Sequence, residues 1–413
     1  AVKAFLKVEQ IRYFNLQCGI IIITRSENIS GIFSLLSYSG LSYKPLITFS
    51  MKRSYLVFLL IVSLTATLSA QLDSLDANFA VSDTQDVKVT LFDTDELLEI
   101  SLKFDINKYK RFKSDTLYLP AVLTYHLSET DSVVKNLKVR ARGNIRRTAI
   151  CDFPPMMLNF KVTDSVDSEF SGINKLKIVP YCKAGFEHYI LKEYLAYKLF
   201  NVVTDHSLRV RLFRITYLNT AREQKPLTQY GFAIEPVEVL EQRTATIEVE
   251  RKLTQRDLRQ DMLDRVAVFN YMIGNTDWSV PIHHNVIILQ EKENPLANDN
   301  LIVAYDFDYS GLVNTNYAVP FTDLPIEHVR QRLYMAVCRS EDRFIEIVNE
   351  FAEKKDEFYR VVSSFPYLSE KTKLGMIKYL DEFYYGIDKR NSLVKKLRND
   401  CMWYESQTNI RVK

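Results

Sequence analysis

The sequence lacks the short motifs by which several large enzyme classes are identified. It contains no GxxxxGK[ST] loop, no GxGxxG, no HExxH and no GxSxG elbow. These absences argue against a P-loop nucleotide hydrolase, a Rossmann dehydrogenase, a zincin metalloprotease and an α/β-hydrolase. The sequence also shows no internal repeat, low-complexity linker or strongly charged tail.

Cysteine is scarce, and no CxxC motif occurs. Of the five cysteines, Cys18 lies in the first fifty residues, and the other four are Cys151, Cys182, Cys338 and Cys401. Four cysteines in a chain of this length do not form a disulfide framework, although an exported chain permits bridges. The sequence leaves open whether they form two bridges or stay free, and how they would pair.

Net charge is also low. The formal charge of the chain is +3, of which residues 1–50 carry +3 and residues 51–70 carry +2, so residues 71–413 carry about −2. A part this close to neutrality offers no basic surface for nucleic acid, and we expect no nucleic-acid partner. Its 47% hydrophobic content is ample for a large core.

The segment MKRSYLVFLLIVSLTATLSA at 51–70 has the layout of a secretory signal peptide: two cations, a short apolar run and small residues before the cut. We expect an exported bacterial protein that is periplasmic, on the cell surface or secreted. The apolar run is short for a membrane span, so no stable span is expected after cleavage, although an uncleaved anchor is the alternative. Residues 1–50 contain no Met and are expected to be upstream translation and not native protein.

The hydrophobic pattern predicts an α+β fold. Short alternating runs between 87 and 180 predict strands, a helical pattern follows at 187–200, and strands resume up to Glu235. From 236 onward helices dominate, one ending at Gly274 and two later ones capped by Ser340 and Ser369.

Polar side chains lie at the ends of consecutive helices and strands in the helical half. Asp277 follows a helix end, Asn285 begins a strand, and Asp306 and Asp308 end the next strand. Carboxylate and amide oxygens suit a hard cation such as Mg²⁺, and a further Asp could accept a hydroxyl proton. This order of parts is that of a kinase catalytic lobe. The alternative is that both stretches, GNTD and DFD, are ordinary turns.

The chain resembles the spore-coat-H (CotH) kinase-like family over about 139–311. YMIGNTDWSVPIHHNVIIL and AYDFDYSG are similar to that family's GN-x-D turn with a nearby Asn, and to its D-x-D strand end. Further upstream, the resemblance includes VRARGNIRR (139–147), NKLKIVP (174–180), LKEYLAYKL (191–199) and YGFAIEPVE (230–238). One departure is the interval of eight residues from Asp277 to Asn285, which is lengthened by SVPIHH.

The resemblance implies a role for each carboxyl and amide group. Asp277 would be the catalytic residue beside the acceptor hydroxyl. Asn285 and Asp306 would hold the metal, and Asp308 would share that role or shape the turn. If these three acids instead formed the site of a metal-dependent hydrolase, the basic residues described next would have no role.

The resemblance also implies a nucleotide-binding set. Lys177 would reach the phosphates and pair with Glu193, although the sequence does not decide between Lys177 and Lys175, which share a strand face. Arg142, in a segment with a single Gly, would replace a Gly-rich loop, with a simple β-turn as the alternative. Glu235 belongs to the inter-lobe segment and is expected at the nucleotide.

The fold implied is kinase-like and two-lobed, with a β-rich N-terminal lobe and a mainly helical C-terminal lobe. The predicted boundaries are a β-rich segment at 71–138, an N-lobe at 139–235 and a C-lobe at 236–413. The function implied is an atypical protein kinase that uses ATP with Mg²⁺ or Mn²⁺ and an unknown protein acceptor. The alternative is a catalytically inactive kinase-like binding protein of the envelope or cell surface.

Overall fold

The computed structural model describes residues 88–126, 131–160, 169–293, 299–389 and 392–408. The predicted signal peptide and the preceding fifty residues lie outside these ranges. Helices and strands are both abundant, so the predicted α+β class is confirmed.

Seven strands form a closed barrel in the order β1-β2-β3-β4-β5-β7-β6. They are β1 (Leu98–Phe104), β2 (Leu119–His126), β3 (Ser132–Ala141), β4 (Met156–Phe160), β5 (Lys175–Val179), β6 (Val210–Asn219) and β7 (Leu227–Ile234). Neighbouring strands are antiparallel except β1 and β6, whose parallel pairing closes the barrel. Alternate residues of β1 are buried, because successive strand side chains point to opposite faces and one face lines the barrel core.

The barrel joins segments that the sequence assigned to different parts. The boundary predicted at residue 138 falls inside β3, which pairs with β2 on one side and β4 on the other. Of the predicted first strand, VKVTLF, the described residues 88–92 form no strand, and Leu91 and Phe92 are buried in a turn. A short helix that the pattern did not predict, α1 (Ile106–Phe112), begins at Asp105, whose side chain caps it.

The predicted helix between the strands is α2 (Glu187–Val203), and it is buried on nearly all sides. One side contacts β6 and β7, and the other contacts α4 (Gln260–Ile273) and α6 (Lys355–Ser363). A helix buried all round shows little amphipathic periodicity. Any charged group on α2 therefore needs a partner, because burial without one is costly.

The second half begins with α3 (Val237–Thr244) and a three-stranded sheet of order β10-β9-β8. The strands are β8 (Thr246–Glu248), β9 (Val286–Glu291) and β10 (Leu301–Ala304). As predicted, α4 ends at Gly274, which has a left-handed backbone (φ +67°).

Helices α5 (Glu341–Glu353), α6, α7 (Glu370–Asp388) and α8 (Ser392–Thr408) follow. The predicted caps are confirmed, since Ser340 and Ser369 each accept a backbone N–H three residues on. The single helix predicted after Ser340 is divided at Lys354 into α5 and α6.

The four cysteines form two disulfides, Cys151–Cys182 and Cys338–Cys401. Cys151 directly follows a π-helix (Arg146–Ile150), and Cys182 lies three residues after the end of β5. The Phe153 N–H donates to the Cys182 carbonyl at 2.8 Å beside the bridge. The first disulfide therefore fixes the π-helix against the end of β5.

We expect replacement of both Cys151 and Cys182 by Ser to lower the free energy of unfolding by about 3 kcal/mol, because the cross-link closes a long loop in the unfolded chain. The loop spans 31 residues, whereas the Cys338–Cys401 loop spans 63. Denaturant unfolding in non-reducing buffer measures both losses, and the second pair should lose slightly more. An unchanged midpoint in the first variant would contradict the cross-linking role.

Candidate active site

A cleft of about 290 Å³ lies where the barrel meets the second half of the chain. This is the lower end of the size range of ligand sites, which starts at about 300 Å³. Of the nine predicted site residues, seven line it: Arg142, Lys177, Glu193, Asp277, Asn285, Asp306 and Asp308. Lys175 and Glu235 do not line it.

Asp277 is held in a defined orientation just after α4. Its backbone N–H donates to Asn275 Oδ1 at 3.1 Å, which shapes the turn. Its Oδ1 lies 2.7 Å from His284 Nε2, and its Oδ2 accepts from Asn285 Nδ2 at 3.0 Å. Both oxygens of this carboxyl group therefore have a partner from the same two-residue segment.

The six residues from Ser279 to His284 fold back on themselves. Ser279 and His284 exchange two backbone hydrogen bonds, each of 2.9 Å. His283 and Asn285 have positive φ angles of +50° and +53°, which are uncommon for residues other than Gly and recur at functional sites. Asp277 and Asn285 are eight residues apart in the sequence, and this folded-back segment brings their side chains together.

Asp306 and Asp308 leave the end of β10 beside this loop. The Tyr305 N–H donates to the Asn285 carbonyl at 3.0 Å, so Asn285 and Asp306 lie at adjacent strand ends. Asp306 has φ +62°, and its N–H donates to the Tyr197 hydroxyl of α2 at 2.9 Å. Asp306 and Asn285 are therefore two cleft-lining residues that have a left-handed backbone without being glycine.

Arg146 is the central cation of the cleft, and it corrects the predicted pairing of Glu193. Its Nη2 lies 2.5 Å from Glu193 Oε2, and its Nε lies 2.7 Å from Asp308 Oδ2. The Tyr317 hydroxyl also donates to Asp308 Oδ2, at 2.8 Å. Over the described ranges no ion pair joins Lys177 to Glu193, so Arg146 takes the place expected for the lysine.

Negative charge exceeds positive charge around Arg146. Glu193, Asp306 and Asp308 share this one guanidinium, with Asp306 Oδ1 4.0 Å away. Burial and then the charge of Asp308 raise the pKa of Asp306 to about 7, although solvent reaches 44% of its side chain and weakens the repulsion. Burial also raises the pKa of Glu193 to about 8, against the opposing effect of Arg146.

Burial raises the pKa of Asp277 as well, and His284 opposes the rise. A carboxyl group that binds its proton more tightly than an ordinary Asp is a stronger base once it is ionised. The position and ionisation of Asp277 therefore suit a group that accepts a proton from a bound hydroxyl.

The donor atoms of the cleft fit Mg²⁺ or Mn²⁺. Asp306 and Asp308 offer carboxylate oxygens, and Asn285 offers Oδ1 because its Nδ2 donates to Asp277. Within the described parts of the chain, no group of three or more His, Cys, Asp or Glu side chains is placed to hold a metal ion. The oxygen donors that line the cleft beside Asp277 are two carboxylates and an amide.

Two basic side chains in the cleft have no acidic partner within ion-pair distance, although Glu248, Glu238 and Asp306 act on Lys177 from further away. Lys177 and Arg142 line the cleft, and neither makes an ion pair or a side-chain hydrogen bond to another described residue. Burial, and next the charge of Arg142, lower the pKa of Lys177. Lys175 is exposed and lies outside the cleft, so the geometry favours Lys177 over Lys175.

Glu235 has a structural position outside the cleft. It is fully buried, and its oxygens accept from Arg209 Nε at 2.8 Å and from Arg243 Nη2 at 3.0 Å. Its Oε2 also accepts the Arg209 N–H at 3.0 Å. The expected contact with a nucleotide is therefore corrected: Glu235 fastens the end of β7 to β6 and α3.

Sequence reasoning missed Arg146 and His284. Arg146 was present in the quoted segment VRARGNIRR, but nothing local distinguishes it from Arg142 or Arg147. His284 belongs to SVPIHH, the segment that lengthens the interval between Asp277 and Asn285. The sequence prediction of the site depended on Asp277, Asn285, Asp306 and Asp308.

The search against protein families found no matching family, and the search of curated proteins found no match. Among solved structures, the chain is similar to one titled as the Helicobacter pylori proinflammatory kinase CtkA. The identity is 9%, the coverage is 64% of this chain and 94% of that one, and the TM-score is 0.34. A likeness this weak carries no argument about this chain. Among the described residues, no helix is both long and apolar enough to cross a membrane.

The raised pKa of Asp306 predicts a pH-dependent stability. Between the ordinary Asp pKa and about 7, the folded protein holds a proton that the unfolded chain has released, so stability falls as pH rises through this window. We expect Asp306→Asn to lose this contribution and to show a smaller fall in thermal midpoint between pH 5 and pH 8 in metal-free buffer.

Asp323→Asn is the matched control, because Asp323 is an exposed carboxylate outside the cleft lining. It should keep the slope of the unmodified protein. Equal slopes in all three proteins would show that Asp306 titrates as an ordinary surface group.

Proposed function

We propose that this protein transfers a phosphoryl group from a nucleoside triphosphate, such as ATP, to a hydroxyl group of a protein, with Mg²⁺ or Mn²⁺ as the metal. In this proposal the fold is a kinase-like two-lobed arrangement, with the barrel as the N-terminal lobe. The observation that carries the proposal is the combination of two unpaired cations, Arg142 and Lys177, with the carboxylates of Asp306 and Asp308 in one cleft.

Unpaired cations in a partly buried site favour an anionic ligand. Burial and then the charge of Arg142 lower the pKa of Lys177, against the opposing effect of three acids, so an anion bound beside both cations would be favourable. Guanidinium and ammonium groups both bind phosphate oxygens through charge-assisted hydrogen bonds. Arg142 and Lys177 would therefore bind the phosphates of the nucleotide.

The carboxylates have the complementary requirement. Asp306 and Asp308 with Asn285 would hold the divalent cation, which would supply positive charge against the negative charge that develops on transfer. A cation there would replace the proton that the raised pKa of Asp306 indicates. Acidic and basic groups would then act on the same polyphosphate from one cleft.

Asp277 would receive the proton of the acceptor hydroxyl. His284 and Asn285 hold its carboxyl group, so the geometry is set before the substrate arrives. Because phosphoryl transfer needs little covalent help, positioning and charge neutralisation would supply most of the rate. No cysteine or serine nucleophile is needed in this scheme.

The resemblance of the motif segments to the CotH kinase-like family adds support, as does the meeting of seven predicted residues in one cleft. The signal-peptide pattern at 51–70 adds an exported location, in the periplasm, on the cell surface or outside the cell, to the proposal. The acceptor would then be an exported protein.

One observation favours an inactive binding protein as the second candidate. Glu193 pairs with Arg146 and not with a strand lysine, a departure from the usual ion pair of active kinases. In that case the cleft would bind a nucleotide or another polyanion without transferring phosphate, and the function would be recognition at the cell envelope.

Incubation of purified residues 71–413 with γ-labelled ATP and Mg²⁺ or Mn²⁺ tests the proposal. We expect label on protein, and a loss of about 10²-fold or more in Asp277→Ala, because proton transfer by a positioned side chain contributes about 10²–10⁴-fold. Asp306→Ala should lose activity to a similar extent through the metal. Nucleotide binding, measured by calorimetry, should survive in Asp277→Ala.

Glu235→Gln, which lies outside the cleft, is the control for a loss of stability. It should lower the thermal midpoint, but the protein that stays folded should still transfer phosphate. Nucleotide binding without label in the unmodified protein would support the inactive binding protein. If the unmodified protein shows no nucleotide binding and no label, both candidates are ruled out.

A further inference from the structure

Arg146 joins three parts of the chain that are distant in sequence. It begins the π-helix, and its guanidinium contacts Glu193 of α2 and Asp308 after β10. Only 11% of its side chain is exposed. The two contacts use different nitrogens, Nη2 and Nε, so the planar fork of the guanidinium determines how the two acids are spaced.

The contact with Asp308 affects the part of this residue that can bind a cation. Arg146 and Tyr317 both bind Oδ2, while Asp306 also contacts the Asp308 carboxyl group, so Oδ1 is the oxygen of Asp308 that faces neither Arg146 nor Tyr317. The Asp308 carbonyl is also fixed, because it accepts the Thr315 hydroxyl at 3.1 Å. Arg146 therefore restricts both the rotation and the free oxygen of the Asp308 carboxylate.

The contact with Glu193 affects the lysine. Had Glu193 paired with Lys177, part of that ammonium group would be used inside the protein. Since Arg146 neutralises Glu193, which is 1% exposed, Lys177 retains its donors for the cleft, as does Arg142. Arg146 thus holds the Asp308 carboxylate in place and leaves Lys177 and Arg142 free to bind a ligand.

The backbone around Arg146 is held rigidly enough for such a role. The Cys151 N–H donates to the Arg146 carbonyl at 2.8 Å, and Cys151 is cross-linked to Cys182 beyond β5. π-Helical turns are rare and occur frequently at functional sites. A side chain positions its neighbours only when its own backbone is fixed.

We propose that Arg146 is a positioning residue that orients Asp308 for metal binding and keeps Lys177 free for phosphate. The proposal rests on the phosphoryl-transfer function proposed above and deepens it. Arg146 itself touches neither the nucleotide nor the acceptor in this scheme and acts through the two carboxylates.

Two variants test the role without changing the net charge of the cleft. Arg146→Lys keeps the charge but loses the fork, since one ammonium group cannot reproduce the two spaced contacts. The double variant Arg146→Met with Glu193→Gln removes one charge of each sign, so the net charge is unchanged, but it also removes the ion pair of Asp308. Because Arg146→Lys keeps the cation beside Asp308 and the double variant does not, a loss of metal binding that both variants share reports the orientation of Asp308.

Mn²⁺ binding is measured by calorimetry or paramagnetic resonance, together with metal-free ATP binding and turnover. We expect each variant to bind Mn²⁺ about 10-fold or more weakly and to lose kcat by about 10–100-fold, the usual range for residues that orient metal ligands. The affinity for metal-free ATP should change less than about threefold, because Lys177 and Arg142 are intact. The double variant should lose as much as Arg146→Lys or more.

Arg339→Met is the matched control. Arg339 makes the same kind of contact, with Nε 2.6 Å from the buried Asp264, but lies outside the cleft lining. It should lower the thermal midpoint and leave Mn²⁺ binding and kcat near the unmodified values.

A lower thermal midpoint with Mn²⁺ binding and kcat unchanged in both Arg146 variants would overturn the positioning role. If the unmodified protein binds Mn²⁺ but transfers no phosphate, the phosphoryl-transfer function fails, while the Mn²⁺ comparison still decides whether Arg146 orients Asp308. Absence of Mn²⁺ binding in the unmodified protein would overturn both proposals.

Discussion

Every ionisable group in the cleft is subject to one constraint: a charge surrounded by protein must be compensated. Asp277 meets it with two hydrogen bonds, and Glu193 and Asp308 meet it by sharing Arg146. Asp306 meets it only in part, since it lies 4.0 Å from the shared guanidinium and has two further acids as neighbours. Lys177 and Arg142 meet it only through acids that are too far away for an ion pair, among them Asp306. The incompletely compensated groups, two basic and one acidic, mark where a ligand would complete the site.

The fold places these groups because unrelated elements end at the same point. The long buried helix α2 supplies Glu193 from one side, and the small sheet supplies Asn285 and Asp306 from the adjacent ends of β9 and β10. The barrel contributes Lys177 from β5 and the arginines from the connection between β3 and β4. Two left-handed residues, Asn285 and Asp306, turn the chain at this point, and such conformations persist only where surrounding contacts hold them.

Local patterns were sufficient to predict much of this arrangement. The Gly274 stop and the serine caps depend on a few neighbouring residues, and the structure confirms them. The residue order Asp277, Asn285, Asp306 and Asp308 was informative because short polar stretches at element ends are easily recognised. The strand predicted at 87–92 is not formed over 88–92, where Leu91 and Phe92 pack into the barrel core from a turn.

What the sequence could not predict depends on contacts between distant residues. The closure of the barrel pairs Leu98 with Phe213, and the choice of Arg146 over Lys177 as the partner of Glu193 is set by packing across 47 positions. Glu235 was misassigned for the same reason, because its two arginine partners become visible only when β6, β7 and α3 are assembled. Identity and spacing do not reveal which of several arginines compensates a buried acid.

The bridge between Cys151 and Cys182 couples the order of the cleft to the surroundings of the chain. Where glutathione keeps thiols reduced, the turn that carries Arg146 would lack its tether to the strand bearing Lys177. Oxidation restores that tether and, with it, the fixed spacing between the cation and its two acids. A chain that forms this bridge only after leaving a reducing compartment would therefore acquire an organised cleft at its destination and not where it was synthesised.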